Sequence, residues 1–247
     1  MFHVDILAEM LFEFFEGRSL RSLEVSYGWD HSVIYKKLAK AVEIIYPIAH
    51  HELCTTNMKV EPVLQLDEIY LGTIWGKKPL INIVSTIEKT DASIVLVLKL
   101  MKNASDIEVL RAIRLAIARL RQIPKELMLD PFGSHVSVRV QQIVQHRWKI
   151  KLNYKERIAR KSQLYRAEGI NNLIATRLRS GLHGQSSFII RGFWVHLVFA
   201  RKREDLGYLS PFEYARRHSF LEKNGWRYLI NKAYPLLEKA FRNLESK

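Results

Sequence analysis

The chain is poor in sulfur, and one of its halves is poor in acid. Of its 247 residues a single one is cysteine, Cys54. No intramolecular disulfide can form, and a cysteine-rich zinc site is excluded. The pair His50-His51 lies close by, but its spacing from one thiol fits no common zinc signature and reads as a polar helix end or linker. Long apolar runs are missing too. The most apolar later stretches, 92–101 and 187–200, are too short or too polar for the roughly 20 residues a bilayer span needs, so no membrane association is expected. The opening MFHVDILAEMLFEFF has no basic segment and no small-residue cleavage site, and Asp5, Glu9 and Glu13 interrupt it, which argues against a signal peptide.

What the chain has in excess is positive charge. Its 39 Lys and Arg against 25 Asp and Glu give +14. Positions 1–130 carry 16 basic and 17 acidic side chains, a net −1, whereas 131–247 carry 23 and 8, a net +15. A near-neutral half joined to a strongly basic one points to a surface that meets a polyanion, most commonly nucleic acid. Hydrophobic residues at 48% and charged ones at 26% predict a packed globular core rather than disorder.

Helical spacing of Val4, Ile6, Leu7, Met10, Leu11, Phe14 and Phe15 predicts an amphipathic helix over 4–15, with Gly17 as a stop. Ser19 can cap a short helix to Val25, Ser26 to Trp29 reads as a turn, and Asp30 can cap a second helix to about Ile45 before Pro47. Two helices joined by a short glycine-containing turn make a helix-turn-helix pattern. Leu20, Leu23, Val33, Ile34 and Leu38 are expected in its small core. His31, Ser32, Tyr35, Lys36 and Lys37 are left at the start of the second helix, where such motifs enter a major groove. A plain helical hairpin packed on the rest of the protein is the competing reading. Residues 1–50 are assigned to this helical module and 51–62 to a linker ending at Pro62.

From Val63 the texture becomes β-branched. VLQLDEIYLG, LINIVSTIEK and ASIVLVLKL predict three strands in hairpin connection. A helix over 104–121, a short strand ELMLD ending in Asp130, a helix from Ser134 to about Gln145 and a strand WKIKL follow. The order βββαβαβ builds an α/β domain over 63–217, a mixed five-stranded sheet with flanking helices of the ribonuclease-H-like kind. Phe193, Trp194, Val195, Leu197, Val198 and Phe199 read as core. Trp226, Tyr228, Leu229, Ile230, Leu236, Leu237 and Phe241 predict C-terminal helices in an extension over 218–247.

Within this frame three carboxylates take positions where a metal-dependent site can assemble: Asp67 in the middle of the first strand, Asp130 at the tip of the fourth, and Glu168 after a basic segment. A strand-central carboxylate is expensive to bury without a partner or a cation. Glu68 points to the other face of the strand from Asp67, so one of the two can serve. The segment from Arg147 to Arg166 carries eight basic residues against Glu156, with Tyr154 and Tyr165 interleaved, a composition suited to following a phosphate backbone. A solvated loop is the bland alternative. His135, a few residues after Asp130, reads as polar surface, with contact to a substrate phosphate as the alternative.

LDEIY around Asp67, LDPFGSH around Asp130, AEGINNLIATRLRSGLHG around Glu168 and the later LGYLSPFEYA resemble the Asp-Asp-Glu (DDE) transposases and retroviral-type integrases, in particular the small transposases of prokaryotic insertion sequences. The separation of 38 residues between Asp130 and Glu168 is similar to that of the integrase-like branch. Pro131 after Asp130 and Gly169 after Glu168 depart from the family pattern. The resemblance implies that Asp67, Asp130 and Glu168 are catalytic and hold two Mg²⁺ ions, for which Mn²⁺ substitutes. It implies a nucleoid-associated enzyme of the cytoplasm that binds double-stranded DNA, both the terminal inverted repeats and the target, and works as a homodimer or higher oligomer. Lys151, Lys155, Arg157, Arg160, Lys161, Arg166, Asn172 and Arg179 are the expected DNA contacts near the metals. An inactive transposase-derived DNA-binding regulator and a nuclease of the same fold that only hydrolyses are the alternatives.

Overall fold

The computed structural model describes residues 3–70, 79–101, 105–129, 137–154, 169–170, 172–176, 187–220, 222 and 224–245. Its centre is a five-stranded sheet of β1 (Val60–Tyr70), β2 (Pro79–Ile87), β3 (Ser93–Leu100), β4 (Glu126–Leu129) and β5 (Lys151–Tyr154), in the order β3-β2-β1-β4-β5. β1, β2 and β3 run antiparallel in succession, β4 lies parallel to β1, and β5 lies parallel to β4. This is the ribonuclease-H-like mixed sheet that the order βββαβαβ predicts. Parallel neighbours need crossovers. The first is α4 (Asp106–Leu120), which buries Val109, Ala112, Ile113, Ala116 and Leu120. The second is α5 (Val138–Gln142), extended by a π-helical turn over Ile143–Arg147.

Three further helices precede the sheet: α1 (Val4–Phe15), α2 (Leu20–Tyr27) and α3 (His31–Thr55). The chain reads its own punctuation here. Ser19 accepts a hydrogen bond from the Ser22 amide at the start of α2, Gly28 at φ 68° ends that helix, and Asp30 accepts from the Ser32 amide to start α3. The left-handed φ at Gly28 is the conformation a non-glycine residue resists.

Several local expectations need correction. Pro47 does not end α3, which runs on to Thr55. A proline inside a helix removes one backbone bond, but Ile45, Ala49 and Leu53 continue the buried stripe begun by Ile34, Leu38, Ala41 and Val42, and that burial carries the helix through. The supposed linker is therefore the last turn of a helix followed by the start of β1, with Pro62 inside the strand at its register irregularity and its carbonyl accepting from the Lys125 amide. Val33 is 41% exposed rather than core, one step off the stripe. The fifth strand likewise starts later than WKIKL suggests. Lys149 adopts φ 59°, and extended backbone begins only at Lys151.

After the sheet come α6 (Ser187–Val195), continued by a second π-helical turn over His196–Ala200, then α7 (Pro211–Ala215) and α8 (Gly225–Glu245). Phe193, Trp194, Val195, Leu197, Val198 and Phe199 are all buried, as expected, and so are Trp226, Leu229, Ile230, Leu237 and Phe241. Leu236 is not, at 58% exposure. Buried side chains from Leu7 to Phe241 form one cluster, so the N-terminal helices share a core with the sheet. Helix crossings are close: a Cβ built on Gly192 would lie 2.1 Å from Phe15 Cζ.

The sheet edge at β3 is closed by side chains. The pairing of β2 with β3 is irregular between Ile83 and Val84, where Leu96 drops out of the ladder. Arg119 Nη1 donates to the Leu96 carbonyl (2.6 Å), and Trp194 Nε1 donates to the Val95 carbonyl (2.9 Å). An edge carbonyl row is otherwise open to unwanted strand pairing.

Candidate active site

Alternation along β1 decides which carboxylate faces where. Successive side chains point to opposite faces, so Gln65, Asp67 and Ile69 share one face and Leu64, Leu66 and Glu68 the other. Glu68 pairs across with Ile81, and Ile81 with Lys99. Lys99 in turn forms an ion pair with Glu108 of α4 (2.8 Å). Glu68 therefore belongs to the α4 face, and Asp67 to the opposite one.

Asp67 is half-buried, and its Oδ1 accepts a hydrogen bond from the Glu68 amide (2.9 Å). Asn82, fully buried, stands directly across from it on β2. Gln65, on the same face, is 3% exposed between Val84 and Met128. Among the described residues, Asn82 and Gln65 thus place two buried amide side chains on the face that carries Asp67.

The parallel register extends this site to the next strand. Val63 pairs with Glu126, Leu64 with Leu127 and Gln65 with Met128. One step on, Leu129 comes level with Leu66, the residue before Asp67. Asp130, which follows Leu129, lies outside the described residues, as does Glu168.

The residues after Glu168 are partly described. Gly169, Ile170 and Leu173 line a groove of about 840 Å³ with Asp91 and Ser93 of the β2–β3 turn region and with Arg201 to Asp205. Ser93 pairs with Thr86, next to Ser85, the partner of Leu64. Ser93 is therefore level with about Val63, four residues short of Asp67, or roughly 13 Å along the strand. Gly169 thus shares a groove with residues at the end of the sheet at which β1 enters.

Of the expected DNA contacts, His31, Ser32, Tyr35 and Lys36 are exposed on the first two turns of α3. His31 Nδ1 is 3.4 Å from Glu24 Oε2, and Tyr35 packs edge-on against Phe188 (centroids 5.1 Å apart). Lys37 is partly buried, its ammonium 4.4 Å from the centre of the Trp29 ring. Lys151 is exposed on β5, and Asn172 is exposed on a helical stretch where its carbonyl accepts from Thr176 Oγ1 (2.8 Å). Lys155, Arg157, Arg160, Lys161, Arg166 and Arg179 lie outside the described residues, as does His135.

The histidine–cysteine neighbourhood behaves as a packing element. Cys54 Sγ lies 3.2 Å from His50 Nδ1. Burial pushes the Cys54 thiol up, and burial together with the Arg119 charge holds His50 down. Among the described residues, the group of potential ligands close enough to share an ion is the surface set Glu24, Asp30 and His31, which excludes Cys54.

Sequence reasoning missed polar side chains of the interior. Gln65 and Asn82 are buried amides within β1 and β2, strands that also carry other polar residues, so their type alone does not mark them. Arg119 is another, buried beneath β3 with its guanidinium 3.9 Å from the Trp194 ring centre. Its place in an amphipathic, arginine-containing helix gives no signal either.

No protein-family model and no curated protein matches the chain. Solved structures similar to it include retroviral integrase catalytic cores. The HTLV-2 integrase catalytic core domain in complex with magnesium is 16% identical over 62% of this chain and 93% of that one, at a TM-score of 0.45. The BIV integrase catalytic core domain is 17% identical over 64% and 95%, at 0.42. The simian T-cell lymphotropic virus intasome in complex with the PP2A regulatory subunit B56 gamma is 13% identical over 65% and 57%, at 0.47. At such identities the likeness concerns fold alone, and the strand order and directions of this sheet carry the fold assignment by themselves. Among the described residues no helix is long and apolar enough to cross a membrane.

Proposed function

We propose that the protein is a DNA transposase of the DDE type, of the kind encoded by insertion sequences, which binds element ends and carries out strand cleavage and 3′-OH strand transfer. The observation that carries this reading is the register of β1 with β4. It brings Leu129 level with Leu66, and consecutive Cα atoms are 3.8 Å apart. Asp67 follows Leu66 and Asp130 follows Leu129 in sequence, which supports assigning the two carboxylates to one site. The resemblance of LDEIY, LDPFGSH and AEGINNL to the family motifs supports the same assignment.

The donor chemistry fits a hard cation. Mg²⁺ selects carboxylate and carbonyl oxygens over nitrogen and sulfur, and Asn82 and Gln65 add amide oxygens to the face that carries Asp67. Asp67, Asp130 and Glu168 are the residues that would hold the metal. When bound, two such ions supply Lewis-acid polarisation of the scissile phosphodiester and of the attacking oxygen. The chain's own part is orientation. The Glu68 amide holds Asp67 Oδ1, which fixes the carboxylate plane, and no Ser or Tyr nucleophile is needed for direct in-line displacement. His31, Ser32, Tyr35 and Lys36 present donors and a ring to a duplex at the exposed start of α3, while the basic segment through Arg166, with Lys151, Asn172 and Arg179, holds DNA near the metals. Two element ends must be brought together, so the working form is a homodimer or larger, acting in the nucleoid of a prokaryotic cell.

The test is an assay with labelled DNA carrying the flanking inverted repeats and Mg²⁺ or Mn²⁺, for the wild type and for Asp67→Asn, Asp130→Asn and Glu168→Gln. Strand joining by the wild type and by none of the variants is expected. Joining that survives Glu168→Gln alone would remove that residue from the site. Cleavage without joining would make the protein a nuclease. Binding with neither activity would make it a DNA-binding regulator.

A further inference from the structure

Gln65 is an anomaly in its strand. Its neighbours Leu64 and Leu66 are buried and apolar, its cross-strand partners are Val84 and Met128, and it is itself 3% exposed. Its Oε1 is buried and has no hydrogen-bond partner among the described residues. A buried acceptor left without a donor is a standing penalty on the fold. An apolar side chain at this position would remove it.

Placement suggests what the penalty serves. Gln65 lies two residues before Asp67 on the same face, about 7 Å along the strand, and next to the fully buried Asn82 opposite Asp67. A Mg²⁺ ion bound by carboxylates keeps several of its waters, and the O–H of a coordinated water is the kind of donor that Oε1 lacks. We propose that Gln65 is a positioning residue for the metal site: its amide oxygen accepts a hydrogen bond from the hydration shell of a divalent cation held by Asp67. The proposal rests on the metal-dependent reading above. It assigns to Gln65 a task outside direct ligation, since groups beyond the ligands orient a metal site and tune its affinity.

Isothermal titration of the full chain with Mn²⁺ and thermal unfolding without metal separate the possibilities, using wild type, Gln65→Met, Gln65→Glu and Asp67→Asn. Removing an orphaned oxygen should raise the metal-free Tm of Gln65→Met by roughly 2–4 °C, while its Mn²⁺ affinity falls by about 10–100-fold. Gln65→Glu, which keeps an acceptor, should bind Mn²⁺ at least as well as wild type. A residue that only fills space would not weaken the metal while stabilising the apo protein. Wild-type Mn²⁺ affinity in Gln65→Met, with binding abolished in Asp67→Asn, overturns the proposal and leaves the metal site standing. A lowered metal-free Tm overturns it as well, by showing that the protein itself satisfies Oε1. Undiminished binding in Asp67→Asn removes the metal-site reading together with the proposal. Should Gln65→Met fail to fold, Gln65→Leu, matching its strand neighbours, carries the same comparison.

Discussion

Arg119 and Trp194, 75 positions apart in sequence, stack with the guanidinium carbon 3.9 Å from the ring centre and donate into adjacent carbonyls of β3, those of Leu96 and Val95. Arg119 also donates to the Tyr46 hydroxyl (3.1 Å), and its burial holds its pKa below the usual arginine range. The irregular residue of an edge strand is thereby completed by two helices.

Replacing Arg119 by methionine keeps much of the volume against Trp194 but leaves the Leu96 carbonyl buried without its donor. A loss of about 2 kcal/mol is expected in urea unfolding. Arg119→Lys should not restore it, because one ammonium cannot reproduce the planar fork that meets Leu96 and Tyr46 together.

The segment LGYLSPFEYA has a mechanical role independent of any family pattern. Glu213, buried, accepts from the Ser210 amide, the Ser210 hydroxyl and the Phe220 amide, at 2.8–2.9 Å, and the Glu213 amide donates back to Ser210 Oγ. Glu213→Ala should destabilise by about 3 kcal/mol, measured by chemical denaturation. Glu213→Gln should lose less, since it keeps acceptors.

Glu52 joins α3 to α8. Tyr228 Oη donates to its Oε2 (2.6 Å) and Lys232 Nζ to its Oε1 (2.7 Å). Burial pushes the Glu52 carboxyl up, but the hydrogen bonds from Lys232 and Tyr228 outweigh it and hold the group below its ordinary value near 4.5. Burial opposes the Lys232 charge, and the contacts with Glu52 and Tyr228 carry it above its ordinary 10.5. A depressed acid contributes stability above its unfolded pKa and loses it as pH falls through the folded one. A raised base contributes stability below its unfolded pKa and loses it as pH rises through the folded one. This pair's contribution should therefore be flat from about pH 5 to pH 10 and decline on both sides. Urea midpoints across pH should lose the acid-side part of that decline in Glu52→Gln.

Lys36, exposed on the second turn of α3, should act on a phosphate rather than on a base. Lys36→Ala is expected to weaken binding to element-end and unrelated duplexes alike and to lower the slope of log affinity against log salt by about 1. Fluorescence anisotropy between about 50 and 200 mM salt reads both.

The chain declares its local punctuation and hides its long-range partners. Ser19, Gly28 and Asp30 cap where their residue types say, because the bonds they make span two to four residues. The strands are legible in β-branched runs, and the order βββαβαβ suffices for the sheet. Pro47 misleads, because what overrides it is the stripe from Ile34 to Leu53 packing against helices far along the chain. Arg119 hides for the same reason: its partners Tyr46 and Leu96 are 73 and 23 residues away. At the site, the strand-central place of Asp67 was legible. The buried amides on its face were not, because an amide in a strand that mixes apolar and polar residues does not tell a buried position from an exposed one until its face is known.

The π-helical turn over His196–Ala200 has a consequence for chain length. Upstream of it Trp194 reaches the edge of the sheet, while inside it His196 Nε2 meets Glu16 (2.9 Å) and His196 Nδ1 accepts from Trp226 Nε1 (3.2 Å). A π turn holds one residue more than an α turn, and each residue of an α-helix advances about 100°. The wider turn absorbs that extra residue, so deleting one there would close the turn as α-helix and leave Trp194 close to its present phase relative to the chain downstream. The segment can therefore lose one residue more readily than it can gain one.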